Sequence, residues 1–90
     1  MRVVINRCYG GYGLSEEAYK KLGVEFDGIH HAFANDRTNP LLLALIDEMG
    51  SKADRWFSCL EVVEIPDNVD FTIEEYDGLE WVAERHRTWP

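Results

Sequence analysis

The chain has 90 residues, 46% of them hydrophobic, with three tryptophans, two cysteines and a formal net charge of −8. That is enough for one domain, residues 1–90, around a single core, and it is too apolar for a disordered chain. The acidity disfavours sequence-independent binding to nucleic acid or to an anionic membrane surface, because both depend on clustered Lys and Arg.

In chain order, the β-branched run Val3-Val4-Ile5 predicts a strand over residues 2–8. Asn6-Arg7-Cys8-Tyr9-Gly10-Gly11-Tyr12-Gly13-Leu14-Ser15 then forms a glycine-rich turn into a helix over 15–22. Ser15 is the N-cap, Glu16 and Glu17 lie in the first turn, and Gly23 is the stop. Residues 24–38 show no sustained period and predict an irregular connection, within which Asp27-Gly28 offers a small hairpin. Asn39-Pro40 opens the clearest helix, with Leu42, Leu45, Ile46 and Met49 on its buried face and Gly50 at its end. Residues 60–65 predict a strand stopped by Pro66, and 71–76 another, in which Phe71, Ile73 and Glu75 alternate with Thr72, Glu74 and Tyr76.

Asp77-Gly78 is the strongest hairpin signal, and it predicts a returning strand from Leu79 with Leu79, Trp81 and Ala83 on one face. A helix competes there, since Leu79, Val82, Ala83 and His86 also fit helical spacing. The expected fold is therefore α+β, a small antiparallel sheet of three or four strands with two helices packed on one face. Small size and surplus aromatics suggest a homo-oligomer.

Two segments carry the functional reading. The glycines at 10, 11 and 13 let another group approach the backbone closely, and Arg7, Tyr9 and Tyr12 add charge and stacking surface. The C-terminal Arg85-His86-Arg87-Thr88-Trp89 joins guanidinium forks to an aromatic plane. Together they suit a small anionic, nucleotide-like ligand contacted by Asn6, Arg7, Cys8, Tyr9, Gly10, Gly11, Tyr12, Ser15, Arg85, His86, Arg87 and Trp89. The spacing matches neither established glycine fingerprint, and a plain strand-to-helix turn explains the glycines equally well. From Glu61 to Glu80 every charged residue is acidic, which reads as a solvated face and alternatively as a surface for a basic host protein. A small enzyme using Cys8 as nucleophile ranks third. Cys8, Cys59, His30, His31 and His86 lack metal-ligand spacing, so no metal, cofactor or catalytic residue is expected. With no apolar run of about 18 residues and no leader pattern, the expected location is the cytoplasm, with both cysteines as free thiols.

Residues 3–15, Val63-Glu64-Ile65-Pro66 and residues 76–89 resemble a family of small bacteriophage and prophage proteins of no established activity. The resemblance implies the host cytosol as the place of action and, by analogy with phage lifestyle, a counter-defence sponge for a signalling nucleotide or an inhibitor of a host protein.

Overall fold

A computed structural model describes residues 1–84; residues 85–90 lie outside the described part. The order is β1 (Arg2–Asn6), α1 (Glu16–Leu22), α2 (Pro40–Met49), a 3-10 turn (Gly50–Ala53), β2 (Leu60–Glu64), β3 (Phe71–Tyr76) and β4 (Leu79–Glu84). The α+β class and the four antiparallel strands stand as the sequence suggested. The strands pair two by two, β1 with β2 and β3 with β4. The returning segment after Asp77-Gly78 is a strand, which settles its competition with a helix.

Both helices begin and end where their capping residues dictate. The Ser15 hydroxyl accepts from the Ala18 amide at 3.1 Å, and Gly23 closes α1 in the left-handed conformation. Asn39 Oδ1 accepts from the Leu41 amide at 2.8 Å, with Pro40 opening α2. Leu42, Leu45 and Ile46 are buried as their spacing required, while Met49 is half-buried. They pack with Val4, Tyr12, Leu14, Ala18, Tyr19 and Ala53 into one core.

β1 is the most buried strand, with Val3, Val4, Ile5 and Asn6 all inside. One edge pairs with β2 in the register Val4↔Val62. The opposite edge has no strand partner among the described residues and is satisfied piecemeal. The Val4 amide donates to the Arg37 carbonyl at 3.0 Å, and the Asn6 amide donates to Glu80 Oε1 at 2.7 Å. Buried amides need partners, and here a loop and a carboxylate supply them.

The expectation of a solvated acidic face from Glu61 to Glu80 therefore fails at Glu80. Arg37 donates to it through both terminal nitrogens, at 2.7 and 2.8 Å, with side-chain exposures of 8% and 9%. Arg37 also donates to the carbonyls of Ala34 and Val4 and lies 3.9 Å from the centroid of the Tyr12 ring. This fork joins the β3–β4 hairpin to the body of the protein.

A second junction lies at the hairpin turn. Asp77 and Gly78 dock on Gly10-Gly11, and the Gly10 amide donates to the Asp77 carbonyl at 3.2 Å. A Cβ on Gly78 would fall 2.2 Å from the Gly11 nitrogen. The glycines do permit a close approach, and the group that approaches is the chain's own hairpin turn.

Candidate functional site

The structure redistributes the residues expected at the ligand. Asn6 is fully buried, and its side-chain amide donates to the carbonyls of Cys8 and Gly78 while its Oδ1 accepts from the Cys59 amide. Tyr12 is buried and donates to the Ala32 carbonyl at 2.6 Å; burial pushes its hydroxyl pKa up. Ser15 caps α1 and donates to the Lys52 carbonyl. Gly10 and Gly11 meet the hairpin turn through their backbone, although Gly10 stays exposed. As ligand contacts these five are corrected: the side chains of Asn6, Tyr12 and Ser15 and the Gly10 amide are engaged within the fold, and the Gly11 nitrogen lies against Gly78, so they build the scaffold.

Arg7 and Tyr9 remain exposed, although Arg7 Nε is 3.6 Å from Glu61 Oε2. Arg85, His86, Arg87 and Trp89 lie outside the described residues. β4 runs away from the glycine turn, so Glu84 is five residues beyond Leu79, or roughly 17 Å at about 3.3 Å per residue.

Cys8 is half-buried with its thiol 3.5 Å from the Phe57 carbonyl oxygen. Desolvation, reinforced by the neighbouring Cys59 thiol, pushes it up to about 11. A nucleophile needs the thiolate near neutral pH, and this environment withholds it. At pH 7.5 iodoacetamide should therefore modify exposed Cys59 and spare Cys8. The Cys8 rate should climb about tenfold per pH unit toward its pKa, because the thiolate fraction does. Mass mapping of the alkylated peptides checks this; preferential labelling of Cys8 at pH 7.5 would restore the nucleophile reading.

A different group of side chains has the chemistry expected of the turn. Residues 13–15 run antiparallel to 53–55, with a bridge between Leu14 and Asp54 and the Ser15 amide on the Ala53 carbonyl. Buried Ser58 locks the next turn. Its hydroxyl accepts from the Arg55 amide and donates to the Gly13 carbonyl, both at 2.8 Å. A Cβ on Gly13 would stand 3.1 Å from the Phe57 ring, so a glycine there lets that ring lie against the chain. The glycine-rich segment thus supports the Arg55-Trp56-Phe57 turn from below.

The Arg55 guanidinium carbon lies 4.9 Å from the Phe26 ring centroid and 5.1 Å from that of Phe57. His31 and Trp56 both meet the Phe57 ring edge-on, at 6.5 and 5.1 Å between centroids, and Trp56 is 90% exposed. The connection through residues 24–38 brings Phe26 and His31 there. Phe26 stacks edge-on against Tyr19, whose hydroxyl donates to the His30 carbonyl and accepts from the Ala32 amide. Asp27 forms a turn, accepting from the amides of Ile29 and His30, in place of the small hairpin its pairing with Gly28 offered. Its carboxyl also meets His30 Nδ1 at 2.7 Å, and these bonds hold it far below the usual carboxylate range.

Arg2, Arg7 and Arg37 each face a carboxylate. Arg55, half-buried between two rings, has no carboxylate within ion-pair distance among the described residues, and none of its guanidinium N–H groups donates to a described residue. Five donors in a planar fork beside an exposed indole can hold an anion and stack a ring. The sequence reading passed over this tripeptide. Its signal was a cation followed by two aromatics in a segment with neither helical nor strand period.

Comparison with protein-family models, with curated proteins and with solved structures finds no match to this chain.

Proposed function

We propose that the chain is a non-enzymatic binding protein for a small anionic, ring-bearing molecule of the nucleotide type, held at Arg55 and Trp56. The observation that carries this reading is the guanidinium of Arg55, half-buried on aromatic rings and without an acid partner among the described residues, whose other arginines are matched to acids. Partial burial strengthens a charge-assisted hydrogen bond, and an anion supplies what the protein itself does not. The ligand's ring stacks on the indole of Trp56. Resemblance of both ends to small phage proteins makes sequestration of a host signalling nucleotide in the cytosol the role we favour.

The test is a panel of linear and cyclic nucleotides read by thermal shift and calorimetry. A true ligand at one hundred times its Kd stabilises the fold by about 2.7 kcal/mol. Arg55→Gln should weaken binding by at least about tenfold, since hydrogen bonds to a charged group contribute about 1.5–3 kcal/mol. Trp56→Ala should weaken it by several fold, and Arg7→Ala should leave it unchanged. A panel without a shift, or a shift that survives Arg55→Gln, would overturn the proposal.

A further inference from the structure

The β3–β4 hairpin carries apolar side chains on both faces, and its large exposed aromatics lie on one of them. In antiparallel pairing, residues directly opposite point to the same side. The register Phe71↔Glu84, Ile73↔Val82 and Glu75↔Glu80 therefore defines an inner face, on which Glu80 reaches Arg37. Thr72↔Ala83, Glu74↔Trp81 and Tyr76↔Leu79 define the outer one. Each strand alone reads as half polar, but the pairing gathers Tyr76, Leu79, Trp81 and Ala83 on the outer side. Tyr76 is 70% exposed and Trp81 42%. Two large aromatics on one small exposed face mark an interaction surface rather than scattered surface residues.

Charge indicates what covers it. Glu74 lies exposed on the same face opposite Trp81, Asp77 is exposed in the adjoining turn, and Glu75 and Glu84 are exposed on the other side of the same two strands. None of these four has a cationic partner within ion-pair distance among the described residues. A second copy docked on this face would bring Glu74 and Asp77 toward their own equivalents, which costs binding energy, whereas a basic partner is attracted both to them and to the negative hairpin as a whole. We propose that the outer face of the hairpin, centred on Trp81 and Tyr76, docks a basic segment of another protein that inserts an apolar side chain between its Lys or Arg residues. This surface shares no residue with the Arg55 site and does not depend on the ligand reading.

The experiment titrates the 90-residue chain with two synthetic peptides of equal length and charge, one alternating Lys with Leu and one alternating Lys with Ser. Calorimetry supplies affinity, and sedimentation supplies the oligomeric state. The Lys/Leu peptide should bind at least tenfold more tightly than the Lys/Ser peptide. Trp81→Ala should erase that preference, Glu74→Lys should weaken both peptides by several fold, and Trp56→Ala should change neither. Trp81 and Glu74 are exposed, and circular dichroism confirms that each variant is folded. Equal affinity for the two peptides would reduce the effect to net charge and overturn the proposal. So would a preference that survives Trp81→Ala, or a self-associated form that Trp81→Ala disperses.

Discussion

Glu80→Gln is expected to destabilise the protein by about 3–5 kcal/mol, the cost typical of removing one member of a buried ion pair. Glutamine keeps an oxygen for the Asn6 amide, so the loss isolates the charge. Arg37 would keep Oε1, which it shares with the Asn6 amide, but would lose Oε2 and the countercharge, while its bonds to the Ala34 and Val4 carbonyls remain. A domain of this size has roughly 5–15 kcal/mol of stability in total, so the change should lower Tm by more than about 10 °C. The double variant Arg37→Met, Glu80→Gln should recover part of the loss, because no unpaired cation is then buried. It should not recover all of it, since the Val4 carbonyl would still lack its guanidinium donor. Urea unfolding of wild type, both single variants and the double variant closes the cycle. A loss below about 1 kcal/mol in Glu80→Gln would mean the pair is solvated and the account of the β1 edge is wrong.

The second large effect is expected at Gly78. Alanine there must adopt a φ of +90° and place its Cβ 2.2 Å from the Gly11 nitrogen and 2.7 Å from the Gly10 nitrogen. Backbone cannot swing aside as a side chain can. The conformational penalty of about 1–2 kcal/mol adds to about 1–3 kcal/mol for overpacking, giving a loss of roughly 2–5 kcal/mol. Gly23→Ala is the matched control. It has a positive φ of 72° at the end of α1 but nothing within 4 Å of its Cβ, so only the conformational part applies. Equal losses at the two positions in chemical unfolding would show that the hairpin turn does not press on the glycine segment.

Local chemistry was readable along the chain wherever a feature depends on neighbours in sequence. Ser15 and Gly23 bounded α1, Asn39-Pro40 and Gly50 bounded α2, and Asp77-Gly78 turned the hairpin. What depends on distant residues was not readable. Nothing around Glu80 distinguishes it from Glu74 or Glu75, because its burial is imposed by Arg37, forty-three positions earlier. The glycine segment announced a close approach correctly, yet no local rule says whether the visitor is a phosphate or the chain's own turn. Arg55 posed the converse problem. Its interest lies in having no carboxylate partner among the described residues, and an absence in space leaves no mark in sequence.

The clasp of Arg37 and Glu80 on β1 has a consequence for solubility. Val3-Val4-Ile5 is a short, uncharged, β-branched run of the kind that seeds intermolecular cross-β stacking when its flank is open. Here the flank is stoppered by a loop carbonyl and a carboxylate that cannot be extended into a ladder. The ionic pair that tethers the hairpin thereby also acts as a gatekeeper, denying other molecules a template on the strand best suited to recruit them.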